Sequence, residues 1–204
     1  MFNTREKKER SLGVKLFLKP HRCSGAKCVT ARRPVRPGMH GRRRRTMSEF
    51  ATQLQEKQRF KFSYGLREAS MRKLFRQALK NPSVTGDTLM QLLERRLDNV
   101  VFRLGIAPSR SVGRQLVSHG HIMVGGRKVT IPSYSVKTGD VVTIRSQSSD
   151  HPILQESRER LSHYEPPAWL AVDPAKLEGK VLGNPKDFDG GLDVGLVVDY
   201  YAKQ

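Results

Sequence analysis

A chain of 204 residues with 38 Lys and Arg against 19 Asp and Glu carries a net charge of +19, a field that favours a polyanionic partner and opposes compact folding in isolation. With 37% apolar residues, it can fill one or two modest cores but not those of a large enzyme. No apolar run nears the ~20 residues of a membrane span, no signal-peptide core is expected, and two cysteines make no disulfide framework, so a reduced cytoplasmic setting without a membrane partner is expected.

The charge is concentrated in the front of the chain. Residues 1–86 hold 23 Lys/Arg and 5 Asp/Glu, whereas residues 146–204 hold 6 and 10. Such a gradient predicts a front half that engages nucleic acid and a neutral-to-acidic tail that packs on protein.

Residues 1–48 have little periodicity beyond VKLFL at 14–18 and are dominated by ARRPVRPGMHGRRRRTM at 31–47. Prolines and glycines break helix there and arginines repel one another, so a basic extended N-terminal arm is expected, weakly ordered until it meets phosphates. Arg32, Arg33, Arg36, Arg42, Arg43, Arg44 and Arg45 are its candidate RNA contacts. Cys23 and Cys28 are spaced like half of a zinc knuckle, and only His21, His40, Glu6 or Glu9 could complete it; the pattern is weak, and neither zinc nor another cofactor is expected.

A helical domain is predicted over 49–87. Ser48 suits the N-cap of SEFATQLQEKQRFKF. Phe60, Phe62 and Tyr64 alternate with the candidate contacts Arg59 and Lys61; such rings can stack on bases, but helix-to-helix packing is the expected role. In LREASMRKLFRQALK, Leu66, Met71, Leu74, Phe75, Ala78 and Leu79 fall near one stripe, leaving Arg67, Arg72, Lys73, Arg76 and Lys80 on a basic face until Asn81-Pro82 ends the helix.

The stretch 88–176 reads as a compact α+β module with core 94–145 and a polar linker. TGDTLMQLLERRLDNVVFRLGIAPS, 85–109, predicts one regular helix capped by Asp87 or Thr88 and closed by Gly105, with Asp98 and Asn99 in structural hydrogen bonds. Ser109 should cap a second helix with Val112, Leu116 and Val117 inward and Arg110 and Arg114 free. Gly120 ends it, and HIMVGGRKVTI predicts a hairpin turning on Gly125-Gly126, with Ile122 facing Val129 and with Arg127 and Lys128 near the tip. SVKTGDVVTIR adds a strand. His119 and His121 lack the partners of a metal or nucleophilic site, which leaves His119 exposed beside a basic tip. Trp169 is expected to anchor packing. The segment 177–204, ending in GLVVDYYAKQ, is read as a short strand returning to the helical domain.

LERRLDNVVFRLG, RQLVSHGHIMVGGRKVTIPSYSVKTGD, RPGMHG, LQEKQRF, PAWLAVD and LVVDYY together resemble the bacterial small-subunit ribosomal protein four family along nearly the whole chain. The resemblance implies an α+β fold: a basic arm, a small helical domain completed by the C-terminal segment, and an inserted α-α-β-hairpin RNA-binding domain. It implies a non-enzymatic structural constituent of the small ribosomal subunit that binds small-subunit rRNA first and nucleates assembly of the subunit body. It further implies contact with small-subunit protein five and with messenger RNA where it enters, an influence on accuracy, and in some members repression of their own operon. His40, Lys57, Arg59, Arg114, His119 and Arg127 are carried over as RNA contacts on matching surroundings. Two departures stand out: Glu6 and Glu9 occupy the place of the first cysteine pair of zinc-binding members, and Met39 replaces the glutamine usual before the histidine. An RNA-modifying enzyme borrowing the same module would need a further catalytic domain, and a heat-shock-like factor would match only in the module.

Overall fold

A computed structural model describes residues 4–43, 46–148, 151–161, 164–186 and 191–203. The chain divides into two compact units, residues 1–80 with 190–204 and residues 81–189.

The first unit contains α1 (Thr4–Leu12), α2 (Pro20–Cys23), α3 (Val29–Arg32), α4 (Glu49–Ser63), α5 (Glu68–Leu79) and α10 (Val194–Ala202). Its arm departs from the extended tail expected, because α1 and α3 pack on each other. Internal bonds explain the order. The Arg10 guanidinium donates to the carbonyls of Arg33 (3.1 Å) and Val35 (2.8 and 3.0 Å), and Glu9 Oε1 accepts from the amides of Leu16 and Leu18 at 3.0 and 3.1 Å.

Ser48 caps α4 as expected, its hydroxyl accepting from the Ala51 amide at 3.3 Å. Phe60, Met71, Phe75 and Ala78 are buried, while Leu79 at the end of the predicted stripe is exposed. The closing segment is a helix, not the strand predicted from its Val and Tyr pairs. Val194, Val197, Val198 and Tyr201 recur at helical spacing, and Asp193 caps the first turn through the Leu196 amide. Helix α10 lies on α4 and α5, with Tyr201 stacked on Phe75 at 4.9 Å between centroids.

The second unit holds α6 (Thr85–Glu94), α7 (Leu97–Arg103), α8 (Arg110–Ser118), α9 (Pro152–Leu161) and a five-stranded sheet. Its strands are β1 (Ile122–Val124), β2 (Arg127–Lys128), β3 (Val141–Ile144), β4 (Leu170–Asp173) and β5 (Glu178–Val181), in the order β2-β1-β3-β5-β4. All pairings are antiparallel. The single helix predicted over 85–109 breaks at Arg95-Arg96. There the backbone turns to pair with 132–136: the amides of Leu97 and Asp98 donate to the carbonyls of Tyr134 and Pro132 at 2.8 and 3.1 Å. Helix α6 starts after Val84, and neither Asp87 nor Thr88 caps it; the Thr88 hydroxyl instead donates back to the Val84 carbonyl.

The hairpin pairs Met123 with Lys128 and Val124 with Arg127. Its turn needs two glycines, because Gly125 and Gly126 lie at φ +54° and +75°. One core joins α7, α8 and the sheet through Leu97, Val101, Leu116, Ile122, Val142 and Trp169. At Gly113 the two helices approach so closely that a Cβ would sit 2.7 Å from the Asp98 carbonyl oxygen. The boundary expected at 87/88 falls nearer 80/81, and because β5 belongs to this sheet, 190–204 rather than all of 177–204 joins the helical unit.

Candidate nucleic-acid interface

In the second unit, two buried carboxylates organise the basic residues. Glu94, 1% exposed, accepts from Arg103 Nε at 2.9 Å and from Asn99 Nδ2 at 2.8 Å. Asn99 Oδ1 in turn accepts from Arg110 Nε at 2.7 Å, and the Arg110 guanidinium lies 4.8 Å from the Phe102 ring centroid. Asp98 holds Arg96 through two bonds of 3.1 and 2.6 Å. Arg114 reaches its outer side at 3.7 Å with half its side chain still exposed. The sequence expectation that Asp98 and Asn99 act structurally is met by this network. Each buried charge is paired, as burial requires.

Near these roots, Arg114 on α8, His119 just past its end, and Arg127 and Lys128 on the hairpin are exposed. The Lys128 stem lies over Gly120, where a Cβ would meet its Cε at 2.3 Å. His119, His121 and His151 form a row, with centroid separations of 6.1 and 5.0 Å. His121 Nδ1 hydrogen-bonds Ser148 Oγ at 2.9 Å. Burial first, then the neighbouring His151, His119, Arg145 and Lys128, push the His121 pKa below the ordinary imidazole value. This patch offers imidazole, guanidinium and ammonium donors to phosphate oxygens. Among the described residues it assembles no nucleophile–base–orienter set, because Ser148 and His121 meet without a described carboxylate to orient the ring.

In the first unit the predicted contacts divide. Arg32, Arg33, His40, Arg42, Arg43, Arg67, Arg72 and Lys73 are exposed, and Arg36 is half-buried; Arg44 and Arg45 lie outside the described residues. Lys57, Arg59 and Lys61 correct the expectation of a phosphate-facing row on α4. Lys57 is only 4% exposed; its ammonium sits 3.1 Å from Glu68 Oε2 and 4.7 Å from the Tyr200 ring centroid. Lys61 shares the same Glu68 oxygen at 3.1 Å. Arg59 is held by Glu56 at 2.6 Å and by the Gly191 carbonyl at 3.1 Å. Phe60 and Tyr64 are buried, in keeping with packing rather than base stacking.

A cavity of about 540 Å³ lies in the arm, lined by Glu6, Lys7, Arg10, Val29, Arg32, Pro37 and their neighbours. Lys7 and Arg10 escaped the sequence reading because α1 is so charged that no apolar stripe announces it. Of the residues considered for zinc, Cys23 Sγ lies 3.9 Å from both Glu9 carboxylate oxygens, and others have partners of their own. Glu6 Oε1 faces Arg22 Nε at 3.1 Å, Glu9 Oε1 is occupied by two backbone amides, and Cys28 Sγ lies 3.0 Å from Thr30 Oγ1. Among the described residues, no group of three or more His, Cys, Asp or Glu is placed to hold a metal ion.

A sequence model of the ribosomal protein S4/S9 N-terminal domain matches residues 2–94, and one of the S4 domain matches residues 95–142. The small ribosomal subunit protein uS4 of Pelotomaculum thermopropionicum is 44% identical over 193 residues, 94% of this chain and 93% of its own. Those of Halothermothrix orenii and Solidesulfovibrio magneticus are 46% and 45% identical over the same shares. The chain belongs to the ribosomal protein S4 family. Members of this family are structural proteins rather than enzymes, and the S4 domain is an RNA-binding module. The α+β expectation agrees with both matches: the helical front lies in the first, and α7, α8 and strands β1 to β3 lie in or at the edge of the second. No described helix is long and apolar enough to cross a membrane.

Proposed function

We propose that this chain is a structural constituent of the small ribosomal subunit in the cytoplasmic ribosome, a primary binder of small-subunit rRNA that nucleates assembly of the subunit body. The observation that carries this reading is the exposed set Arg114, His119, Arg127 and Lys128, of which Arg114 is anchored on the buried Asp98. A family of ribosomal proteins supplies the RNA class. Its mechanism is phosphate neutralisation with shape recognition of a folded RNA junction and few base-specific contacts. Contact with small-subunit protein five and with messenger RNA where it enters the subunit, an influence on accuracy and repression of its own messenger complete the proposal, on the strength of the family resemblance.

The test is filter binding of the full chain to a small-subunit rRNA junction across a salt series. Around ten phosphate contacts give a steep log–log slope and a loss of several orders of magnitude in affinity from low to moderate salt. A flat profile would refute the mechanism.

A further inference from the structure

The geometry points to a second kind of contact in the arm: we propose that the cavity beside α1 and α3 binds a single nucleotide with its base inserted and its phosphate outside. This inference rests on the RNA-binding reading and specifies what one part of the chain takes hold of. The cavity's volume, about 540 Å³, suits a small ligand. Val29 and Pro37 give it apolar walls, and Lys7, Arg32 and Arg33 border it with exposed cations. An apolar slot with cations at the mouth matches a nucleotide, a flat ring carrying a dianion.

The slot is built rather than accidental. Arg10 on α1 reaches across to the carbonyls of Arg33 and Val35, so three hydrogen bonds fix the segment that forms the far wall. Arg10 is therefore a positioning residue, and its charge is committed before any ligand arrives. Glu6 is the one acid among the described lining residues, and its buried Oε1 lies 3.1 Å from Arg22 Nε without a hydrogen bond to it. That leaves Oε1 as an acceptor without a hydrogen bond. A carboxylate among cations repels phosphate but accepts an N–H, and every base offers one: the exocyclic amino groups of adenine, guanine and cytosine and the ring N3–H of uracil. The same chemistry is presented by an unstacked residue of an RNA and by a free nucleotide.

The experiment uses the full chain, with NMR of Val29 methyl and Arg side-chain resonances during titration with adenosine, guanosine, cytidine and uridine 5′-monophosphates, ribose 5-phosphate and inorganic phosphate. The four nucleotides should each bind about five- to tenfold tighter than ribose 5-phosphate, as one added hydrogen bond and ring burial imply. Glu6→Leu, which removes the acceptor, should bring nucleotide binding closer to that of ribose 5-phosphate. Val29→Trp should abolish nucleotide binding by filling the slot. Adding the rRNA junction displaces the nucleotide if the natural ligand is an unstacked RNA residue and leaves it bound if that ligand is free. Equal binding of ribose 5-phosphate and the nucleotides, or undiminished binding by Val29→Trp, overturns the proposal. Filter binding of rRNA, measured in parallel, reports separately on the RNA-binding reading.

Discussion

In the unit of α1–α5 and α10, Glu68 is itself partly exposed and engages Lys57 and Lys61; in the unit of α6–α9 and the sheet, the buried Glu94 and Asp98 engage Arg96, Arg103 and Arg110 and leave Arg114 half-exposed. Glu68 gathers Lys57, Lys61 and the Tyr201 hydroxyl, while Glu56 takes Arg59 and the Asp193 amide. The outcome is a clasp between α4, α5 and α10. By contrast, Glu94 and Asp98 sit beneath Arg110 and Arg114 and fix their bases without consuming the exposed side of Arg114. A basic residue in a polyanion binder therefore says little by itself. What decides its role is whether its head group stays exposed once the nearest acid has engaged it, as that of Arg114 does and that of Lys57 does not.

The largest expected effect tests the rooted network. Glu94→Ala leaves Arg103, Arg110 and Asn99 without their shared partner in a buried site, and removing one member of a buried ion pair costs about 3–5 kcal/mol. Denaturant unfolding of the second unit should show that loss. A change below ~1 kcal/mol would mean that the network is ornamental.

The clasp should break by acid instead. Burial alone would raise the Glu68 pKa, but hydrogen bonds from Tyr201, Lys57 and Lys61 outweigh it and hold the carboxyl at about 2. Its folded value is thus depressed below the ordinary value of 4.5. The stability it contributes is present above that ordinary value and is lost as pH falls through the folded one. Tyr201, pushed up by burial and then by Glu68, stays protonated and keeps donating. Unfolding midpoints of the parent chain and Glu68→Gln should therefore differ most above about pH 4.5 and converge toward pH 2. Parallel curves across that window would remove Glu68 from the clasp.

Signals carried by neighbouring residues were the ones legible in the sequence. Ser48 and Ser109 each cap the helix that follows, and Gly125-Gly126 turns the hairpin, because a cap or a tight turn needs only a few consecutive residues. Partners far along the chain left no such trace. Lys57 reads as one more base in EKQRF until Glu68 and Tyr200 close over it, and Arg59 meets a carbonyl 132 positions away. Strands β4 and β5 join the sheet across a long connection, and the break at Arg95-Arg96 follows from a bond to Tyr134 that helical periodicity cannot register. In the tail, the β-propensity of Val and Tyr competed with helical spacing, and packing on α4 decided for the helix.

RNA binding should separate the two kinds of cation directly. Arg127→Ala removes an exposed charge at the hairpin tip and should lower the log–log salt slope by about one while leaving stability nearly unchanged. Lys57→Ala should do the reverse, with an unchanged slope and a less stable first unit. Filter binding and denaturation of both variants check the pair, and a slope change in Lys57→Ala would erase the distinction between clasp and interface.

The smallest effect compares the two caps. Ser109 is 5% exposed and accepts from the Val112 amide at 3.3 Å, whereas Ser48 makes the same bond at 3.3 Å in the open. Water can replace a lost acceptor at an exposed helix end but not at a buried one. Ser109→Ala should therefore cost about 1–2 kcal/mol and Ser48→Ala about 0.5 kcal/mol, the two ends of the range for cap removal. Because α8 carries Arg114 and ends at His119, the buried cap also steadies the helix that presents them, and amide exchange along 110–119 should quicken in Ser109→Ala. Equal costs at the two serines would mean that burial of the cap contributes nothing to holding that face in place.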